Sequence, residues 1–378
     1  MEMESVTNTE FQTTLRAAAE QRSQQYQNIY SIAVRWERDD TNAELDTAHF
    51  QSMLKNLDTD PAEVLVLGSD DKHPGYTLER TWLNFTAKAR LNNERDLIIF
   101  HYAGHGTTKN GSFKIAENMS EESKTVNFER ITFEDLKDPA RFSDHCNTDI
   151  LFILDCCYAH YTTRAPKTSR NAIEILAATS SQTVTARSAP NNTLTAKLTN
   201  EIARRKSANH ESMEFASVFE SLLTRSGTTR SGTIERPTHD LLVGAASVNI
   251  PLNGHRMVVD PRTIPADCLA LFSVNISRHV THQELKELTT WMRSLPPFAG
   301  LKIEHIYHTQ THSMCLIMRA AFSVYAKLHN MQGYNLIAEN PGPDLTHLLQ
   351  PELSEDPASP PPSSPRKENL PFRSSKDI

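Results

Sequence analysis

Two apolar runs that stop at reactive side chains constrain this chain more than any other feature. They are Asp96-Leu-Ile-Ile-Phe-His-Tyr-Ala-Gly-His105-Gly106 and Asp149-Ile-Leu-Phe-Ile-Leu-Asp155-Cys156-Cys157-Tyr158. Each is a short block of β-formers without helical spacing, closed by glycine or polar residues, which is the pattern of a strand buried on both faces of a parallel sheet. In open α/β sheets the binding crevice lies beyond the carboxyl ends of the parallel strands. If the two runs are neighbours, His105 and Cys157 face one cleft, an imidazole beside a thiol.

The surroundings support an α/β layer. Strand Tyr30 to Trp36, helix about Ala43 to Leu57, strand Val64 to Leu67 and helix about Thr77 to Leu91 precede the histidine run. Asn110-Gly111 predicts a hairpin turn just past His105. A polar excursion from Glu117 to Asn147 leads to the cysteine run, and Glu174 to Ala178 adds a strand. Helices over Thr193 to Arg205 and Phe215 to Thr224 then cover the sheet, and Asp240 to Ala246 closes this unit. The expected domains are a polar arm over 1–27, an α/β unit over 28–250, a second unit over 260–340 and a tail over 341–378. The second unit reads strand, helix, strand, strand, helix, strand, the split βαβ, ferredoxin-like order. The tail holds nine prolines with many Ser, Glu and Lys residues and is expected to be disordered.

Composition narrows the function classes. With 22% charged and 38% hydrophobic residues, the chain is ordinary globular material, and its net charge of −7 argues against bulk phosphate or nucleic-acid binding. No stretch approaches the ~20 apolar residues of a membrane span, and the amino terminus lacks signal-peptide character. Five cysteines without repeated spacing give no disulfide framework, so reduced thiols and a cytoplasmic address are expected. His101 and His105 have a zinc spacing only on a helix; on a strand, ~3.3 Å per residue puts the rings about 13 Å apart, so no metal is expected there.

The segment His101-Tyr-Ala-Gly-His105-Gly106 resembles the His-(Tyr/Phe)-Ser-Gly-His-Gly motif of caspases and metacaspases, and Asp155-Cys156-Cys157 is similar to the metacaspase Asp-x-Cys. The interval of fifty-two positions from His105 to Cys157 agrees with the family rule of a histidine roughly 50 residues before the cysteine. The likeness spans roughly residues 28 to 250 and is nearest to fungal metacaspase-like proteins. It implies a caspase-like three-layer α/β/α sandwich with a mostly parallel sheet, followed here by the small α+β unit. It further implies Cys157 as nucleophile and His105 as acid/base, with the backbone N–H groups of Gly106 and Cys157 forming the oxyanion hole.

Cys156 and Cys157 cannot both face the cleft if the strand continues, whereas Asp155 and Cys157 share a face about 6.6 Å apart. Asp155 is then either a pocket acid selecting Arg or Lys before the scissile bond or a helix cap. For the family's second pocket acid Asp46 is the nearest match and Asp40 the alternative, because the surrounding Leu-x-Gly-Cys pattern is missing. Self-cleavage is expected at Arg164, Lys167 or Arg170. Tyr158-Ala159-His160 departs from the family's His-Ser-Gly, and Glu117, Glu121, Glu122, Glu129, Glu134, Asp135 and Asp138 lack an oxygen-cage spacing, which leaves calcium activation open and unsupported.

The expected protein is thus a self-processing cysteine endopeptidase with protein substrates and, by resemblance, a place in regulated cell death. The competing expectation is a catalytically silent interaction module that recruits signalling partners through residues 260–340; a cysteine transferase on the same layout is a third.

Overall fold

The computed structural model describes Thr13 and residues 25–90, 94–109, 112–120, 122–134, 147–157, 171–178, 189–225, 237–243, 247–252, 269–276, 281–294, 299–308, 314–322, 324–325 and 333–339. Most of the polar arm over 1–27, the Asn110-Gly111 turn, most of residues 324–330, where the second helix of the second unit is expected, and the tail lie outside them.

Strand and helix alternate as the sequence predicts: β1 (Asn28–Trp36), α1 (Ala43–Asn56), β2 (Glu63–Leu67), α2 (Pro74–Arg90) and β3 (Asp96–Ala103). After β4 (His105–Lys109) and β5 (Ser112–Ala116) come β6 (Thr125–Asn127) and a π-helical turn, Glu129–Glu134. These occupy part of what the sequence presents as a polar excursion. The chain continues through β7 (Thr148–Asp155), β8 (Ile173–Ala177), α3 (Leu194–Ser207), β9 (Ser212–Glu214), α4 (Phe215–Arg225), β10 (Thr238–Val243) and β11 (Asn249–Pro251).

Six strands form the central sheet in the order β10-β8-β7-β3-β1-β2, all parallel except β10. Strands β3 and β7 sit at its middle, buried at every position and paired from Asp96↔Thr148 to Ala103↔Asp155. Full burial on both faces explains why their sequences run apolar instead of alternating. Period-2 geometry divides their side chains between two layers. Leu97, Ile99, Leu151 and Ile153 share a core cluster with Phe50, Met53 and Leu54 of α1 and Leu198 and Ile202 of α3. Ile98, Phe100, Phe152 and Leu154 pack on the opposite face with Leu78, Trp82 and Phe85 of α2. There Phe100 lies 5.6 Å from Phe152 and 5.2 Å from Phe128, ring to ring.

The helix starts follow local chemistry. Asn42, before α1, makes no side-chain cap; Asp39 does so instead, its Oδ2 accepting from the N–H of Ala43 at 2.8 Å and of Thr41 at 3.1 Å. Thr193 caps α3, its hydroxyl accepting from the Ala196 N–H at 3.2 Å. Arg205, braced within α3 by Glu201, ties that helix to α4 through Ser217 and Ser221.

Beyond β11, β12 (Leu269–Ile276), α5 (His282–Ser294), β13 (Lys302–His308), β14 (Met314–Ala321) and β15 (Tyr334–Glu339) build an antiparallel sheet of order β13-β14-β12-β15. That order is the one the split βαβ pattern generates. A capping box starts α5, with Thr281 and Glu284 bonded reciprocally. Burial alternates along β12, and Phe272, Val274, Leu316 and Met318 belong to the same core cluster as Leu97 and Leu151.

Candidate active site

Strand β3 ends at Ala103, and the chain bends out of the sheet through Gly104. Gly104 has φ +138°, where an L side chain is strained, and a Cβ there would stand 2.8 Å from the Tyr102 hydroxyl. Its N–H reaches the Asp155 carbonyl at 3.4 Å, so the β3 exit stays paired with the β7 exit. His105 then opens β4. The buried Tyr102 hydroxyl donates to the His105 carbonyl at 2.8 Å and fixes the backbone beneath the imidazole.

Gly106 lies flush against the β7 exit. A Cβ on Gly106 would overlap the Cys157 carbonyl oxygen and stand 3.1 Å from its carbonyl carbon. Only a residue without a side chain permits this approach. The histidine segment and the cysteine therefore meet at the carboxyl ends of two paired central strands. The His105 side chain is 14% exposed, and its Nε2 bonds the Asp40 carboxylate.

The two cysteines differ as their environments require. Cys156 is fully buried in the α2-side core, and burial, ahead of the charges of Cys157 and Asp155, pushes its thiol well above the usual range. Cys157 is half-buried. Strand β7 ends at Asp155, so the extended spacing expected between Asp155 and Cys157 does not carry through to the cysteine.

The acids occupy two places. Asp155, buried on the α1/α3 side, accepts through Oδ2 from the N–H of Thr195 at 2.7 Å and from its hydroxyl at 2.8 Å, so it caps α3. Burial raises its carboxyl in spite of these bonds. Asp46 is also buried and accepts from the Thr193 hydroxyl at 2.6 Å. Burial first, then the charge of Asp155, lifts Asp46 from 3.8 to about 7. The two carboxyls thus meet at the positive end of α3. Asp40, the alternative to Asp46, lies on His105 instead.

His101 joins the acid network. Thr195 spends its hydroxyl proton on Asp155, so it accepts from His101 Nε2 at 3.0 Å. Burial lowers His101 to about 3 and keeps it neutral, stacked 4.5 Å from Phe50. It shares no ligand cluster with His105. Among the described residues the groups compact enough to hold a cation are Asp39, Asp40 and His105, with donor atoms within 4.8 Å of one another.

The caspase-domain family profile matches residues 27–277, well over half of the chain. The chain belongs to the caspase family. No curated protein matches it. Membership makes this a caspase-like cysteine peptidase domain, whose substrates are proteins. The sheet of five parallel strands and one antiparallel edge, with helices on both faces, is a caspase-like α/β sandwich. Among the described residues no helix is long and apolar enough to cross a membrane.

Several family positions lie outside the described residues: Tyr158-Ala159-His160, and Arg164, Lys167 and Arg170. Of the scattered acids, Glu121, Asp135 and Asp138 lie there as well. Thr193, Thr195 and Tyr102 enter this caspase-family site without having been singled out from the sequence. A threonine ahead of an amphipathic run is an N-cap signal, so Thr193 was within reach; the Tyr102 contact bridges strand and hairpin and leaves no local mark.

Proposed function

We propose that the chain is a cysteine endopeptidase that cuts after arginine or lysine, with Cys157 as nucleophile and His105 as acid/base. The observation that carries this reading is the contact of Gly106 with the Cys157 carbonyl, which brings the histidine loop against the nucleophile's backbone. In the reaction the imidazole takes the thiol proton, and the thiolate sulfur attacks the peptide carbonyl carbon. The oxyanion is held by the backbone N–H groups of Gly106 and Cys157, each such donor contributing ~2.7 to 4 kcal/mol. The imidazolium protonates the leaving amine, and water then hydrolyses the thioester.

The paired carboxyls of Asp46 and Asp155 support selection of a cationic side chain, since their negative charge lies at the carboxyl end of β7 beside the cysteine. Processing at Arg164, Lys167 or Arg170 would make the protein a zymogen that activates itself, and by family resemblance its work is regulated cell death. A second reading, a silent interaction module, draws on exposed apolar side chains at both edges of the second sheet: Ile306 and Tyr307 on β13, Leu336 and Ile337 on β15.

The test is hydrolysis of fluorogenic peptides ending in Arg, Lys or Asp by the full chain, with and without calcium, beside Cys157→Ala. Cleavage after Arg or Lys that disappears in Cys157→Ala is expected. Undiminished cleavage by the Ala variant removes the nucleophile, cleavage only after Asp removes the specificity, and no cleavage of any peptide favours the interaction module.

A further inference from the structure

We propose that Asp40 is a positioning residue for His105, so that the catalytic pair works as a Cys-His-Asp set. This rests on the peptidase reading above and adds to it a carboxylate that the dyad alone does not require.

The pair is made across 65 residues of sequence by the segment between β1 and α1 meeting the first residue of β4. Asp40 bonds His105 Nε2 through Oδ1. Its own side chain is 57% exposed, and an ion pair so open to water contributes only about 0 to 1 kcal/mol to folding. Stability is therefore a poor reason for the contact, and orientation a good one.

Three features make Asp40 a firm anchor despite its exposure. The preceding carboxylate, Asp39, is held by the N–H groups of Thr41 and Ala43 and by the Thr41 hydroxyl. The following Thr41 is buried. Asn42 then adopts a left-handed conformation, φ 66°, at the entrance to α1. The backbone around Asp40 is thus pinned while its carboxylate projects to His105.

His105 is consequently held at two points, its backbone carbonyl by the Tyr102 hydroxyl and its ring Nε2 by Asp40. A carboxylate only accepts, so Nε2 must carry its proton. In the neutral ring Nδ1 is then the nitrogen with a free lone pair, and that is the atom that exchanges a proton with Cys157. Without Asp40 the ring can flip or take the other tautomer, which presents N–H where a base is needed. No bond beyond those of the peptidase reaction is made or broken.

The experiment uses the full chain and compares Asp40→Ala, Asp40→Asn and Asp40→Glu with wild type and Cys157→Ala. Two readings are taken: kcat and KM on the Arg peptide, and the rate at which iodoacetamide alkylates Cys157 at pH 7, followed by mass spectrometry. Asp40→Ala is expected to lower kcat about 10- to 100-fold, up to the lower end of general acid–base effects because the base itself remains, with KM changed less than about twofold. Its alkylation rate should fall about tenfold, because a misaligned imidazole no longer draws out the thiolate. Asp40→Glu should recover part of both, and Asp40→Asn should lie between.

Wild-type kcat and alkylation in Asp40→Ala, with Cys157→Ala inactive, overturns the proposal and leaves the peptidase reading intact. A rise in KM at constant kcat overturns it too, since that is loss of substrate binding. Activity that survives in Cys157→Ala removes the peptidase reading, and the alkylation series then decides on its own whether Asp40 tunes the thiol. If Asp40→Ala does not fold, Asp40→Asn is judged by the same criteria.

Discussion

Replacing Asp46 by Asn should make the protein more stable and less active. Asp46 is buried, sits beside the equally buried Asp155, and is lifted from 3.8 to about 7 by burial and by that neighbouring charge. Because the native state holds this proton more tightly than the unfolded chain, the native state is penalised as the pH rises from about 4 to 7, and the penalty is constant above 7. About three pK units at 1.36 kcal/mol each is roughly 4 kcal/mol. Asn keeps an acceptor for the Thr193 hydroxyl, but the bond loses its charge assistance, which returns about 1 kcal/mol. The net gain at pH 8 is roughly 2 to 3 kcal/mol, a melting temperature higher by about 4 to 10 °C. Urea melts of both proteins at pH 4, 6 and 8 test this. The gap should be small at pH 4, widen through pH 6 and level off. On the proposed preference for arginine or lysine, the same variant should lose about tenfold in kcat/KM on the Arg peptide, since one carboxylate of the proposed pocket is gone. An Asp46→Asn variant that is no more stable than wild type at pH 8, or a gap that ignores pH, would refute the claim that Asp46 is a buried charge held against its preference.

Two further perturbations probe the frame around the site. Gly106→Ala drives a methyl into the Cys157 carbonyl, so activity should drop more than about 100-fold with the loss of oxyanion alignment, while circular dichroism shows the sheet intact; normal kcat in a folded variant would contradict the close approach. Glu201 has the opposite pH sign to Asp46: burial alone would raise it, but the Arg204 and Arg205 hydrogen bonds outweigh that and bring it from 4.5 to about 2. Its contribution is full above pH 4.5 and lost as the pH falls toward 2, so Glu201→Gln should be about 1 to 3 kcal/mol less stable at pH 7, with a gap in urea melts that shrinks on acidification.

The central strands could be read from sequence because burial on both faces leaves little but apolar residues between Asp96 and Ala103 and between Asp149 and Leu154. In the second sheet burial instead alternates, throughout β12 and along β14 as far as Ala320. What escaped is short or non-local. Strand β6 has three residues, Thr-Val-Asn, and only its pairing with β5 makes it a strand. The π-helical turn at Glu129–Glu134 has no sequence signal of its own. At the site, alternation correctly sent Asp155 and Cys156 to opposite layers, but it could not show where β7 would stop. Asp46 and Asp40 were both candidates for one role, and only three-dimensional contact separates them, one to Thr193 and the other to His105.

The caspase-family match runs to residue 277, one residue past the end of β12. Yet β12 is the inner strand of the second sheet, flanked by β14 and β15. Its Phe272 packs with Tyr325 and Tyr334, and Phe322 faces His239 on the β10 edge of the central sheet. A shortened protein ending at 277 would keep one orphan strand, strip both its neighbours, and lay open apolar surface next to the peptidase layers. The family match stops where the packing does not, for the second sheet shares one buried core with the α1/α3 face of the peptidase layers.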